Sequence, residues 1–293
     1  MLNLRMLVNV LLINLIDYMK ICLLVFLVSF SVLAQTKIPY GKNSKAGNYA
    51  SVRGFQMYYE TYGTGKPLLL IHGNGGSMAD FSNQIPFFSQ HYRVIVADNR
   101  SHGKSIDTQD SLSYEMMADD FAGLLDHLKI DSASVIGWSD GGINGLLLAS
   151  RHPSKVRKLA VTGANLTPDA GKSTDPWVVE YVHHVIDSLS HLPVTQENKR
   201  WLKLNRMLVE QPHISHDVLR KIQCPTLVIG GDHDVIVPRH TLEIAENIPQ
   251  SYLWILPNSG HSTPIYYANL FNSTVHEFLK NPYRTIEKHA KFN

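Results

Sequence analysis

The chain is 293 residues long, 44% hydrophobic and 18% charged, with 27 Lys and Arg against 25 Asp and Glu for a formal net charge of +2. That near-neutral balance, without a basic block, excludes a nucleic-acid partner, and the length suits one large α/β domain with an insertion. Cys22 and Cys224 are the only cysteines, so a disulfide scaffold and a Cys/His metal framework are excluded as well.

In chain order, Met19-Lys20 opens a short basic start, an apolar run follows, and Val32-Leu33-Ala34 supplies small residues. That is the layout of a secretory signal peptide, with residues 1–34 removed and Gln35 first in the mature chain. Met1 to Tyr18 reads as an upstream extension, with Met19 as the true initiator. The apolar run after Lys20 falls short of the ~20 residues of a membrane span, so no stable membrane anchor is expected after cleavage. The expected compartment is periplasmic or secreted. Cys224, before Pro225, is then the one mature cysteine and reads as a buried thiol.

Lys37 to Ala50 is polar and reads as a flexible mature terminus. Val52 to Tyr62 has strand character and ends in the turn Gly63-Thr64-Gly65-Lys66-Pro67. This Gly-Thr-Gly-Lys is no phosphate loop, because the spaced first glycine and the following Ser or Thr are missing and Pro67 removes an N–H. Leu68 to Ile71 is a continuous apolar strand of the doubly covered kind, ending in His72-Gly73-Asn74-Gly75-Gly76. A dinucleotide fingerprint fails there, since Met78 stands in place of the third glycine. The other reading is a loop whose backbone N–H faces a nucleophile.

Tyr92 to Ala97 is the next strand, and Tyr114 to Leu128 is an amphipathic helix with Met117, Phe121, Leu124, Leu125 and Leu128 on one face. Ala133 to Ile136 is a strand, Ile143 to Ser150 a helix, and between them lies Gly137-Trp138-Ser139-Asp140-Gly141-Gly142. Gly-x-Ser-x-Gly between strand and helix is a nucleophile elbow: glycines let the backbones approach, and the strained serine presents its hydroxyl at the mouth of the sheet. Val156 to Thr162 is another strand. Residues 164–221 carry helical segments (Trp177 to Leu189, Gln196 to Val209) and no strand, which reads as a helical cap insertion. It divides a core formed by 35–163 and 222–293. Thr226 to Gly231 and Tyr252 to Leu256 return to the sheet, and Phe271 to Leu279 closes the chain as a helix.

A serine hydroxyl needs a base, and the base an acid that orients it. Ser139, then Asp234 after one strand, then His261 after the next have the required chain order. Asp232 competes for the orienting role but stands where a turn would use it. His183, His184, His191, His213 and His216 fall in the insertion as surface or lid residues. The oxyanion donors expected are the backbone N–H groups of Asn74 and Asp140. The Asp140 carboxylate has two readings, a favourable charge in the first helical turn or a selector for a cationic substrate group. Trp138, Met78, Phe81, Leu166, Trp177 and Trp201 are candidates for the substrate pocket, with ordinary core packing as the alternative for each.

These motifs, together with Asp98-Asn99-Arg100-Ser101-His102-Gly103-Lys104-Ser105, Gly231-Asp232-His233-Asp234-Val235-Ile236-Val237-Pro238 and Gly260-His261, resemble the α/β-hydrolase superfamily from about Val52 to Leu279. Within it the elbow and Gly163-Ala164-Asn165 are similar to the corresponding segments of valacyclovir hydrolase-like esterases. The resemblance implies an α/β-hydrolase fold, with a mostly parallel central sheet, helices on both faces and a helical cap. It also implies a Ser-Asp-His triad on Ser139, Asp234 and His261. Ser101 departs from the family's Asp-x-Arg-Gly. A serine rather than an aspartate at the elbow argues against dehalogenase and epoxide hydrolase chemistry. The expectation is therefore a serine hydrolase acting on a small-molecule ester without a cofactor. A lactonase, a carbon–carbon bond hydrolase or a perhydrolase is the alternative on the same triad, and a non-catalytic ligand-binding protein the alternative of another class.

Overall fold

The structure, a computed structural model, describes residues 38–285. The expected signal segment and its cleavage point lie outside the described residues. Eight strands form one sheet in the order β1-β2-β4-β3-β5-β6-β7-β8. They are β1 (Gly47–Val52), β2 (Phe55–Tyr62), β3 (Pro67–Ile71), β4 (Arg93–Ala97), β5 (Ala133–Trp138), β6 (Val156–Thr162), β7 (Thr226–Gly231) and β8 (Ser251–Leu256). Pairing is antiparallel for β1 with β2 and β2 with β4, and parallel from β4 through β8. The helices used below are α1 (Gln84–Phe88), α2 (Tyr114–His127), α3 (Asp140–Arg151), α4 (Pro176–Ser190), α5 (Gln196–Glu210), α6 (His216–Leu219), α7 (Pro238–Glu246), α8 (Thr263–Tyr266) and α9 (Ala268–Lys280).

Strand periodicity explains the layers. Successive side chains of β3 point to opposite faces, so an all-apolar strand needs cover on both. Leu69 and Ile71 join Met117, Phe121, Leu124 and Leu146 on one face. Leu68 and Leu70 join Phe81, Phe88, Phe271 and Val275 on the other. The register then sets the functional edge. Ile71 pairs with Ala97 and with Gly137, and Trp138 pairs with Thr162, which pairs with Ile229. The loops after β3, β4, β5, β6 and β7 therefore leave from one carboxyl edge, where sheets of this kind place their chemistry.

Two sequence expectations need correction. The strand expected over Val52 to Tyr62 is a hairpin, broken at Arg53 and Gly54 with φ of +42° and +88°. Two successive left-handed residues make the turn whose twist matches the flanking strands. Part of the segment expected to be a flexible terminus is consequently strand β1. Upstream of it, the Gly41 and Asn43 N–H groups donate to the buried Glu60 carboxylate, both over 3.0 Å. The elbow helix begins at Asp140 rather than Ile143, and Pro238–Glu246 is a helix the periodicity did not announce. Between β6 and β7 the chain carries α4, α5 and α6. Ser101 holds φ +65°, a left-handed conformation that favours glycine. Cys224 is buried and free.

Candidate active site

Ser139 sits between β5 and α3 with φ +58° and ψ −124°. A non-glycine residue there is strained by about 1–3 kcal/mol, and the surroundings must enforce it. They do so through the Ser139 N–H, which donates to the Thr162 carbonyl over 2.8 Å, and the Ser139 carbonyl, which accepts from Gly142 over 2.7 Å. Space is equally restrictive: a Cβ at Gly137 would overlap the Gly141 carbonyl, and one at Gly141 would overlap that of Ile71. The helix α3 thus starts directly after Ser139, with the positive end of its dipole beside that residue.

His261 joins two of the other edges. Its Nδ1 lies 2.7 Å from Asp234 Oδ1, and its Nε2 lies 2.9 Å from Ser139 Oγ. A carboxylate can only accept, so Nδ1 carries the proton and Nε2 is left to accept the serine proton. The Asp234 side chain is fully buried and its Oδ1 also accepts the Ile236 N–H over 3.0 Å. Asp232, the competitor, is engaged elsewhere. Its Oδ1 accepts the Ser259 N–H over 3.0 Å and pairs with His233 Nδ1 at 2.8 Å, and the His233 bond and the turn N–H groups pull its pKa down to about 2. It shapes the turn that delivers His261.

Gly73 brings the loop after β3 over the elbow, where a side-chain carbon would lie 3.0 Å from Ser139 Cβ. The Asn74 N–H follows at once, and its side-chain amide donates to the Leu204 carbonyl of α5 over 3.1 Å. Asp140 is buried beside the serine and faces the Tyr114 hydroxyl and the Asn74 side-chain amide. Burial pushes its pKa up to about 6, while the neighbouring Tyr114 hydroxyl, Asn74 amide and His261 oppose the rise.

The pocket residues divide. Trp138 is half-buried and its indole N–H donates to the His261 carbonyl over 2.9 Å. Trp201 lies against Gly75, with a ring carbon 3.3 Å from where a Cβ would stand. Met78 and Phe81 correct the expectation: both are 0% exposed, in the core layer under the sheet, and have no surface to offer a substrate. Leu166 is likewise buried in the opposite layer, and Trp177 is 59% exposed on α4. Apolar character near the elbow in sequence did not distinguish rim from core. His183, His184, His191, His213 and His216 all lie on the surface.

Sequence reasoning missed Tyr114, which is buried and faces Asp140. The signal was present, because Tyr114 precedes Met117 and Phe121 at helical spacing. It also passed over the side chains of His72 and Asn99, which join the loops after β3 and β4.

A family model described as the alpha/beta hydrolase fold matches residues 66–185. Serine hydrolase BPHL of Homo sapiens is 28% identical over 248 residues, covering 78% of this chain and 85% of that protein. The 2-hydroxy-6-oxo-6-(2'-aminophenyl)hexa-2,4-dienoic acid hydrolase of Metapseudomonas resinovorans is 26% identical over 261 residues, covering 79% and 90%. Among solved structures, a thermophilic esterase from Thermogutta terrifontis superposes with a TM-score of 0.64 at 25% identity, covering 80% of this chain and 98% of that one. An enol-lactonase from Burkholderia xenovorans LB400 shares the fold, with a TM-score of 0.66 at 23% identity over 80% and 100% of the two chains.

Proposed function

We propose that this chain, a member of the α/β-hydrolase fold family, is a serine hydrolase that cleaves a small carboxylic ester through an acyl-enzyme. The observation that carries the reading is the unbroken relay from Ser139 Oγ through His261 to Asp234, at 2.9 and 2.7 Å, across three separate loops. In the proposed reaction Ser139 Oγ attacks the ester carbonyl while its proton passes to His261 Nε2. The imidazolium so formed is stabilised by Asp234. The carbonyl oxygen, now negative, is held by the N–H groups of Asn74 and Asp140. Collapse expels the alcohol, which takes the proton from His261, and water repeats the sequence to release the acid and restore Ser139. No cofactor enters these steps.

A lactone is an internal ester and would follow the same steps, so ring size rather than mechanism separates an esterase from a lactonase. A second reading concerns the substrate alone. The Asp140 carboxylate, held directly beside Ser139, favours an ester that carries a cationic group near its acyl carbon. Labelling with a fluorophosphonate and a burst of p-nitrophenol from p-nitrophenyl acetate test the catalytic reading, with Ser139→Ala as the blank. A folded protein whose serine never acylates would be a ligand-binding relative instead. We further propose export, on the Met19–Ala34 pattern; a mature protein beginning at Gln35 in the cell envelope or medium is the expected result.

A further inference from the structure

His72 is fully buried at the end of β3 and takes no part in the transfer steps above, yet both of its ring nitrogens are engaged. Nε2 accepts the Asn99 N–H over 3.0 Å, and the Asn99 side-chain amide donates to the His72 carbonyl over 2.9 Å. A ring nitrogen that accepts carries no proton, so the neutral imidazole is protonated on Nδ1. Burial keeps it neutral by pushing its pKa down to about 4. That Nδ1–H donates to the Gly73 carbonyl over 2.7 Å. The other N–H on this carbonyl, from Gly76, is long at 3.4 Å. His102 packs edge-on against His72 with ring centres 5.2 Å apart, but its Nδ1–H is taken by the Arg100 carbonyl.

The Gly73 carbonyl and the Asn74 N–H belong to one peptide unit. In a planar trans peptide the two point in opposite directions, so fixing the carbonyl fixes where the N–H aims. The unit passes close to Ser139, and the Asn74 side chain is tethered on the other flank to Leu204. We propose that His72 is a positioning residue for the oxyanion hole, its Nδ1–H holding the Gly73–Asn74 peptide so that the Asn74 N–H faces the developing oxyanion. The inference rests on the serine-hydrolase reading and deepens it.

Asparagine places its amide nitrogen near the position of imidazole Nδ1, and glutamine places its terminal amide near that of Nε2. His72→Asn therefore keeps a donor for the Gly73 carbonyl, and His72→Gln keeps a partner for the Asn99 N–H. With p-nitrophenyl acetate, His72→Gln is expected to lose about tenfold or more in kcat with KM within about threefold, as a misaimed oxyanion donor should. Inhibition by a trifluoromethyl ketone, which forms the tetrahedral adduct, should weaken by a similar factor while binding of acetate is unchanged. His72→Asn should keep kcat within about threefold of wild type, whatever its Tm. If kcat simply follows Tm across the two variants, or His72→Asn is the slower, the role is structural and the proposal is wrong.

Should either variant fail to fold, the wild-type protein answers through imidazole 15N NMR. The expected spectrum has His72 protonated at Nδ1, with that proton shifting when the ketone adduct forms. Protonation at Nε2, or indifference to the adduct, overturns the proposal. Ser139→Ala keeps the two levels apart: an active Ser139→Ala removes the hydrolase reading and this one with it. An inactive Ser139→Ala leaves the His72 results to bear on His72 alone.

Discussion

The indole N–H of Trp138 donates to the backbone carbonyl of His261 over 2.9 Å, so the residue before Ser139 holds the loop that carries His261. Its ring lies 6.3 Å from the imidazole, centre to centre. A residue expected to line a pocket thus acts on the relay through a main-chain tether. Trp138→Phe keeps much of the ring and removes the donor. It should cost about 1 kcal/mol in urea unfolding and lower kcat by about five- to tenfold, because His261 gains freedom, while KM stays near wild type. A raised KM with unchanged kcat would instead make the indole a binding wall.

Asp234 and Asp232 stand two residues apart and do different work. Removing the charge at Asp234 leaves the His261 Nδ1–H facing an amide that can present the wrong atom. Asp234→Asn should therefore lose about 10⁴ in kcat, as triads do when the orienting acid is neutralised. Asp232→Asn keeps an oxygen for the Ser259 N–H and should retain kcat within about threefold, its effect confined to the turn. Single-turnover acylation of the two variants measures the difference, and comparable losses would sink the assignment.

Much of this site was legible because the fold imposes strong local rules. A strand, a crowded elbow and a helix leave their mark as Gly137, Ser139 and Gly141, and the order of Ser139, Asp234 and His261 follows from successive strands ending at one edge. What stayed hidden depends on long-range placement. Met78 and Phe81 are apolar residues near the oxyanion loop, and nothing in their neighbours says that they face the core layer beneath the sheet rather than the cleft. The hairpin turn at Arg53-Gly54 was also missed, because a single glycine after an arginine is a weak turn signal until both adopt positive φ. Asp140 was readable as a residue beside the nucleophile. Its burial against Tyr114 was not, since that contact joins separate helices.

That burial gives Asp140 a measurable effect on stability. Its folded pKa is raised from an ordinary 3.8 to about 6, so between those values the folded chain holds a proton that the unfolded chain has released. The stability this contributes is full at low pH and is lost as pH rises through about 6, a change of about 3 kcal/mol. Asp140→Asn has no such titration. It should match wild type near the acid end and exceed it by up to about 3 kcal/mol at pH 8 in urea unfolding. In activity, a carboxylate that recognises a cation predicts a larger loss for Asp140→Asn on an amino-acid ester than on a neutral ester. Equal losses on both would remove the cationic reading and leave the stability prediction standing.

The buried His102 shows the opposite sign. Burial pushes its pKa down to about 3, the neighbouring His72 adds to the effect, and its Nε2 has no partner. Unfolding in acid therefore takes up a proton at this residue. The stability it contributes is present above the ordinary 6.5 and is lost as pH falls toward 3, at about 1.4 kcal/mol per pH unit. His102→Asn preserves a donor for the Arg100 carbonyl but cannot titrate. Its unfolding free energy should fall less steeply than wild type between pH 6 and 4, by roughly one proton's slope. Parallel curves would mean that His102 is already protonated in the folded chain.

Gly163, directly after β6, packs its backbone against the His261 ring. It holds φ +65°, and a Cβ there would lie 2.7 Å from His261 Cε1 and 2.9 Å from His261 Nδ1. Alanine would face both a left-handed backbone and the edge of the imidazole, and the ring is the part free to move. Displacing it by about an ångström lengthens the bond to Asp234 or the one to Ser139, and a misplacement of that size costs on the order of 100-fold in rate. Gly163→Ala should therefore lose about 100-fold in kcat with a stability loss of about 1–2 kcal/mol. Gly171 isolates the backbone component, since it holds φ +75° but a Cβ there meets only Pro176 Cγ at 3.8 Å. Gly171→Ala should lose about 1 kcal/mol of stability and keep its kcat. A Gly163→Ala enzyme with wild-type kcat would mean that His261 tolerates displacement, and the relay distances described here would then not limit the rate.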